Sequence, residues 1–450
     1  MSFKKFSVII STKIGSFKKN IKVDSDKSIS IRSFLIGAIS HNISKVSNVL
    51  ESEDVFSSIK CLKKLGVKIT KIKPKTYIIY GKGLGSFFCK KNTLLNLGNS
   101  GTGLRLLCSI LATTPGIDLK LTGDSSLKKR NMFKLIKLMN EFGAEFFPKK
   151  KYSLPLRMVS SEMPIGIEYK SGVSAQLKSA VMLAGLNSFG TSTIIEVKKS
   201  RDHTENILSK NKNVIKIINK KEKIIKIYGK NYLKPLNLNV PGDPSSAAFF
   251  TALTLLNKNS SILIKNVGLN PTRIGFYELL KKYGAKITFK NIKINNSEPI
   301  GDILVKSCKI KAIQADKSYY VKSTDEYPIL FIIAALTEGV SNFSGISELS
   351  NKESSRAHEI RKILKQVGIK CKLSKNQMKI YGKKDIKHLK KIIKVPNLGD
   401  HRICMSTVIL SLITGIKSNI KNFETVDTSS PNFLNIIKLL GGKFEIKKTS

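Results

Sequence analysis

The chain has 450 residues, enough for two or three domains with sizeable cores. Hydrophobic residues make up 41% of it and the mean hydropathy is −0.07, which excludes a disordered chain and marks a globular one. Lysine and arginine total 79 against 31 acids, a net charge of +48, but the cations lie along the whole chain beside Asn and Ile, with no tryptophan and no arginine-rich, aromatic-interleaved patch; a nucleic-acid surface is therefore not indicated, and the charge serves to draw in small anions.

At the N-terminus, MSFKKFSVIISTKIG has positive charge but too short an apolar run for a signal-peptide core, and no later run reaches the roughly 18 residues of a membrane span. A cytoplasmic protein is expected. The first helical segment is DKSISIRSFLIGAI from Asp26. The second, GNSGTGLRLLCSIL, crowds Gly98, Asn99, Gly101, Thr102 and Gly103 ahead of Arg105. It lacks the Lys-Ser/Thr pair of a Walker loop, and Leu106 stands where a dinucleotide fingerprint needs its third glycine. Taken alone, the stretch is either an anion site at a helix N-terminus or a glycine-rich helix start with no ligand.

Four more segments repeat the pattern of a polar turn followed at once by an apolar helix. They are SGVSAQLKSAVMLAGL from Ser171, PGDPSSAAFFTALTLL from Pro241, STDEYPILFIIAALTEG from Ser323 and LGDHRICMSTVILSLITG from Leu398. Their starts lie about 70 to 80 residues apart, the mark of an internal repeat. A second, amphipathic helix ending in glycine and then a strand recurs between them: IKCLKKLGVKI, KLIKLMNEFGAEF, YELLKKYGAKI, EIRKILKQVGIKC and NIIKLLGGKFEI, with a degenerate version around residues 206–218. A strand signature, IIYGKG, IKIYGKN and MKIYGKK, returns near Tyr80, Tyr228 and Tyr381. The chain thus reads as six copies of an α/β unit with two helices each.

Each first helix is too apolar for a surface and should be buried with only its N-terminus exposed. Ser, Asp and Gly at such turns are ordinary N-caps in any protein. These caps, however, also carry Lys27, Arg32, Arg105, Gln176 and Arg402, groups costly to place on apolar helices. Several helix N-termini with cations among them make a trap for anions.

Together the motifs DKSIS, GNSGTG, SAQLKSAVMLAGLN, RDHTE, VPGDPSSAAF, NPTR, DEYPIL, KES and GDHR resemble, in order, those of the 5-enolpyruvylshikimate-3-phosphate synthase family, and more its bacterial class II branch. The resemblance runs from about Gly15 to the C-terminus. It implies an α/β fold, a two-domain inside-out α/β barrel of the enolpyruvyl transferase type, with six βαβαββ repeats around buried parallel helices. It implies a first domain over 22–243 and a second formed by 1–21 and 244–450, with the two chain crossings as a hinge that closes on substrate.

The implied reaction moves the enolpyruvyl group of phosphoenolpyruvate to the 5-hydroxyl of shikimate 3-phosphate. It needs no metal and no cofactor, and a monomer is expected. By resemblance, Lys27, Ser28, Arg32, Ser174, Ala175, Gln176, Ser200 and Arg201 bind shikimate 3-phosphate, Ser200 and Arg201 in its phosphate pocket, with Asp325 and Lys352 also at that substrate. Phosphoenolpyruvate falls to Lys27, Asn99, Gly101, Thr102, Arg130, Gln176, Arg356 and Arg402. Asp325, Lys352 and Glu353 form the acid/base set. The chemistry suits these residue types: both substrates are polyanions, and adding an alcohol across an enol needs a base for the hydroxyl and an acid for the methylene carbon.

The chain departs from the family pattern at Asp24-Ser25, Ile31, Asn131, Ser350-Asn351 and Ser355, none of which removes a chemical group. A sister enolpyruvyl transferase acting on UDP-N-acetylglucosamine characteristically carries a reactive cysteine on a first-domain loop; DSSLKKRNMF from Asp124 has none. A basic RNA-binding repeat protein would explain the charge but not Asp325, Glu353 or the caps. The six scattered cysteines and five histidines show no metal spacing and suit reduced, structural thiols.

Overall fold

A computed structural model describes residues 5–383 and 392–448. Six helices form where a polar cap meets an apolar run: α1 (Lys27–Ile39), α2 (Gly101–Ala112), α3 (Ala175–Asn187), α4 (Pro244–Leu256), α5 (Tyr327–Ala335) and α6 (His401–Thr414). The Asp26 side chain starts α1 by accepting the Ile29 N–H at 2.8 Å, and Ser100 starts α2 by accepting the Gly103 N–H at 3.0 Å. Ser174, Asp243 and Asp400 serve α3, α4 and α6 in the same way. A 3-10 turn, Thr324–Glu326, leads into α5 instead. The helices are buried nearly all round, as their composition demands, but Asp26, Ser100, Asp243 and Asp400 are buried too, where exposed N-termini were expected. Burial is tolerable there because each cap oxygen is taken by a helix N–H group, and Asp243 and Asp400 also by a neighbouring guanidinium.

Among the described residues, six four-stranded sheets of one topology flank the helices, and in each an outer strand pairs parallel to the second. The strand order is not always sequential. Asn237–Asn239 returns to pair with Ile43–Ser47, Lys18–Ile21 pairs with Ser261–Gly268, and Phe6–Ile10 sits inside the last sheet between Ser418–Ile420 and Glu445–Lys448. The chain divides into two compact units, Ser25–Val240 with the hairpin tip Asn295–Glu298, and Met1–Asp24 with Pro241–Ile294 and Pro299–Ser450. Each has its own apolar core. In the first unit α2 packs on α1 and α3; in the other α4, α5 and α6 pack on one another.

The repeated Tyr-Gly of the strand signature has a steric origin. A β-carbon at Gly81, Gly229 or Gly382 would be driven into the carbonyl oxygen of Ser40, Ser188 or Thr337, at the C-terminal end of α1, α3 or just past α5. The strand can cross the helix end this closely only without a side chain. Gly229→Ala is therefore expected to destabilise the protein by about 1–3 kcal/mol, the usual cost of overpacking. Urea unfolding measures it, and parent-like stability would show that the strand can simply move away.

Candidate functional site

In the unit built on α1–α3, the three N-terminal turns are tied together by side chains. Arg32 on α1 is 4% exposed and donates through Nε to Thr204 Oγ1 at 2.9 Å and through Nη2 to Ser179 Oγ on α3 at 3.1 Å. A third bond, from Nη1, goes to the Ser28 carbonyl. Burial pulls this guanidinium down to about 10, with Asp26 and Glu205 acting the other way, so it stays charged at neutral pH. Lys27, the first residue of α1, pairs with Asp54 at 2.9 Å.

Between α2 and α3, Gln176 accepts from Arg105 Nη1 at 2.8 Å and donates to Thr102 Oγ1 at 3.0 Å. Asn99 accepts from Arg130 Nη2 at 2.6 Å and donates to Asp124 at 2.7 Å. Gly101 lies under both cations: a β-carbon there would stand 2.7 Å from Arg130 Nη1 and 2.9 Å from Arg105 Nη1. Parallel N-termini with Lys27, Arg105 and Arg130 beside them concentrate positive potential at one end of this helix trio. Ser174 caps α3 and Ala175 opens it, both half-buried. Ser200 is buried and Arg201 half-buried on the loop after the strand Thr191–Glu196.

The second cluster belongs to the unit built on α4–α6. Arg356, 1% exposed, is held by three carboxylates: Asp400 at 3.0 Å from Nε, Asp325 at 3.4 Å from Nη1 and Glu353 at 2.6 Å from Nη2. Burial works to lower its pKa, but Asp400, Glu353 and Asp325 together raise it above the ordinary arginine value. Asp325 comes from the 3-10 turn ahead of α5, and Lys352 and Glu353 from the segment following the turn Ser347–Asn351. Asp400, the α6 cap, also receives the Ser354 hydroxyl at 2.8 Å. Arg402, on the first turn of α6 and 4% exposed, is different. It stacks 5.8 Å from the Phe249 ring, and its Nε and Nη1 have no hydrogen-bond partner among the described residues.

Lys27, Arg32, Asn99, Gly101, Thr102, Arg130, Ser174, Gln176 and Ser200 thus lie in one cluster, and Asp325, Glu353, Arg356 and Arg402 in the other. Sequence reasoning did not assign Asp400, although GDHR was noted; an N-cap aspartate gives no sign that it also clamps an arginine 44 residues away. It flagged Arg105 as costly without a role, and the bond to Gln176 supplies one. A buried group around Lys178 escaped it entirely. Cys108 is buried in α2 with its thiol pushed up to about 12 by burial, so it is no reactive thiol.

Six like sheets enclosing two trios of parallel buried helices are the fold of an enolpyruvyl transferase. The transferase NikO from Streptomyces tendae superposes with a TM-score of 0.74 over 99% of this chain and 100% of its own, at 12% identity, a likeness of fold alone. The EPSP synthase (3-phosphoshikimate 1-carboxyvinyltransferase) family model matches residues 11–437, and the chain belongs to that family. The 3-phosphoshikimate 1-carboxyvinyltransferase of Zymomonas mobilis is 36% identical over 442 residues, covering 97% of both chains. The EPSP synthase structure from Acinetobacter baumannii is 34% identical, with a TM-score of 0.84 over 98% of this chain and 100% of that one.

Proposed function

We infer that this chain transfers the enolpyruvyl group of phosphoenolpyruvate to the 5-hydroxyl of shikimate 3-phosphate, releasing phosphate, on the shikimate route to chorismate and the aromatic amino acids. The observation that carries the mechanism is the convergence of Asp325 and Glu353 on the buried guanidinium of Arg356. Two carboxylates held at fixed places beside one cation are placed to take and return protons. Asp325 takes the proton of the 5-hydroxyl as its oxygen bonds to C2 of phosphoenolpyruvate, while Lys352, as the ammonium, protonates C3. The C2–O bond to phosphate then breaks, phosphate carrying off the electron pair and, in net, the proton of the 5-hydroxyl, as C3 returns a proton to the Lys352–Glu353 pair and the double bond is restored.

Shikimate 3-phosphate is held by Lys27, Ser28, Arg32, Ser174, Ala175, Gln176, Ser200 and Arg201, and phosphoenolpyruvate by Lys27, Asn99, Gly101, Thr102, Arg130, Gln176, Arg356 and Arg402. Each Nη of Arg356 carries a second N–H beyond its carboxylate bond, which leaves it able to donate to an anion. Arg402 is the group best suited to an incoming anion, being a buried cation with two nitrogens unpartnered among the described residues. The protein acts as a monomer in the cytoplasm, without nucleic acid. No helix among the described residues is long and apolar enough to cross a membrane. Phosphate release with phosphoenolpyruvate plus shikimate 3-phosphate, set against UDP-N-acetylglucosamine as acceptor, tests the reaction; turnover only with the sugar nucleotide would reverse it.

Glyphosate, the family's inhibitor, competes for the phosphoenolpyruvate pocket. A methyl group at Gly101 meets the ends of Arg130 and Arg105, flexible groups that must shift to make room. Gly101→Ala is expected to raise the glyphosate inhibition constant by more than it raises the KM for phosphoenolpyruvate. Equal losses in steady-state inhibition assays would show that this turn does not tell the two apart.

A further inference from the structure

The buried group around Lys178 lies directly behind the Ser200–Arg201 loop. Lys178, on the first turn and a half of α3 and 0% exposed, contacts Glu196 Oε1 and Glu205 Oε1 at 2.6 Å each. The Glu196 oxygen that Lys178 touches also accepts both the backbone N–H and the hydroxyl of Ser200, each at 2.9 Å. Lys223, from the strand Lys223–Tyr228, stands 3.6 Å from Glu196 and 3.4 Å from Glu205, so two cations balance two acids. Burial works to lower the Lys178 pKa, but Glu205 and Glu196 together raise it, and the pair stays ionic.

Such a cluster is an expensive way to fill a core, since well-packed apolar side chains of the same volume are often as stable or more so. Its geometry shows what it does instead. Glu196 ends one strand and fixes Ser200 four residues on, Glu205 lies on the short helix His203–Leu208 that follows, and Lys178 bonds both from α3. The loop carrying Ser200 and Arg201 is thereby held at a set distance from Ser174 and Gln176 by one buried ammonium group. We propose that Lys178 and Glu196 are positioning residues that hold the Ser200–Arg201 loop in register with α3 as a clamp for the 3-phosphate of the acceptor substrate. The inference rests on the reading that Ser200 and Arg201 meet that phosphate. Neither positioning side chain touches substrate; both act through Ser200.

The test uses Glu196→Gln, which keeps the shape and one acceptor, beside Lys178→Met, which risks the fold. Calorimetry with shikimate 3-phosphate, and inhibition by shikimate, which lacks the phosphate, are measured on the purified full chain with Arg201→Ala as reference. Glu196→Gln is expected to weaken shikimate 3-phosphate about tenfold, the scale of one charge-assisted hydrogen bond. Shikimate inhibition and KM for phosphoenolpyruvate should stay near those of the parent, while the melting temperature falls, because Lys178 and Lys223 are left with Glu205 as their one shared acid. Weakening of shikimate and its 3-phosphate alike would mean a general loss of structure and overturn the proposal. So would unchanged 3-phosphate affinity in Glu196→Gln while Arg201→Ala weakens it. If Arg201→Ala itself has no effect, the assignment of the phosphate pocket fails first, and the clamp with it.

Discussion

An Asp325→Asn enzyme is expected to lose about 100-fold or more in kcat, the scale of general-base catalysis, while binding shikimate 3-phosphate almost as tightly as the parent. Asparagine keeps the size of the side chain and a hydrogen-bonding oxygen for Arg356, but it cannot accept the hydroxyl proton. The contact being altered is the longest of the three on Arg356, at 3.4 Å, and Glu353 and Asp400 still hold that guanidinium. The fold should therefore survive. In the proposed site the substrate's charge is met by Lys27, Ser174 and Arg201, so affinity should persist. Phosphate release and calorimetry on one preparation separate the two effects. Near-normal turnover would remove Asp325 from the mechanism and move the base to Glu353.

Replacing Arg402 and Arg356 by methionine should give opposite results for stability, although both are buried arginines of the same cluster. Arg402 holds a charge in the protein interior with Nε and Nη1 unmatched among the described residues, which costs the folded chain stability. Arg402→Met removes that cost and can still pack on Phe249, so the melting temperature should stay level or rise. The KM for phosphoenolpyruvate should rise by roughly 100-fold, the worth of one to two charged hydrogen bonds. Arg356→Met does the reverse for the fold: Asp400, Glu353 and Asp325 lose their shared cation, and breaking a buried ionic group this way costs about 3–5 kcal/mol. Thermal melts of the two variants beside the parent decide the matter. A destabilised Arg402→Met protein would show that its guanidinium is a structural group and not one kept for a ligand.

Much of this architecture could be read from the chain, because its signals are local. A cap and an apolar run are neighbours in sequence, so the starts of α1 to α4 and of α6 were legible to within a few residues in the polar turns that begin at Asp26, Gly98, Ser171, Pro241 and Leu398, while the cap residue within each turn was read from the structure. Their recurrence gave the number of units, and the motif order gave the family. The Tyr-Gly signature was visible as a repeat, but its reason was not; only the packed structure shows a carbonyl oxygen of the helix end where a side chain would go.

What the tertiary structure alone decided are the partners of charged groups. Arg356 and Asp400 are 44 residues apart, and Arg32 and Thr204 are 172 apart, and no periodicity predicts which cation meets which acid. The same holds for the strand Lys18–Ile21, which completes a sheet with Ser261–Gly268, and for Lys178, whose sequence context marks it only as one more lysine. Cap and helix signals arise from bonds between residues three or four apart, which the sequence itself orders. Ion pairs and sheet edges are set by which distant segments the packed cores bring within a few ångströms, and that distance exists only once the chain has folded.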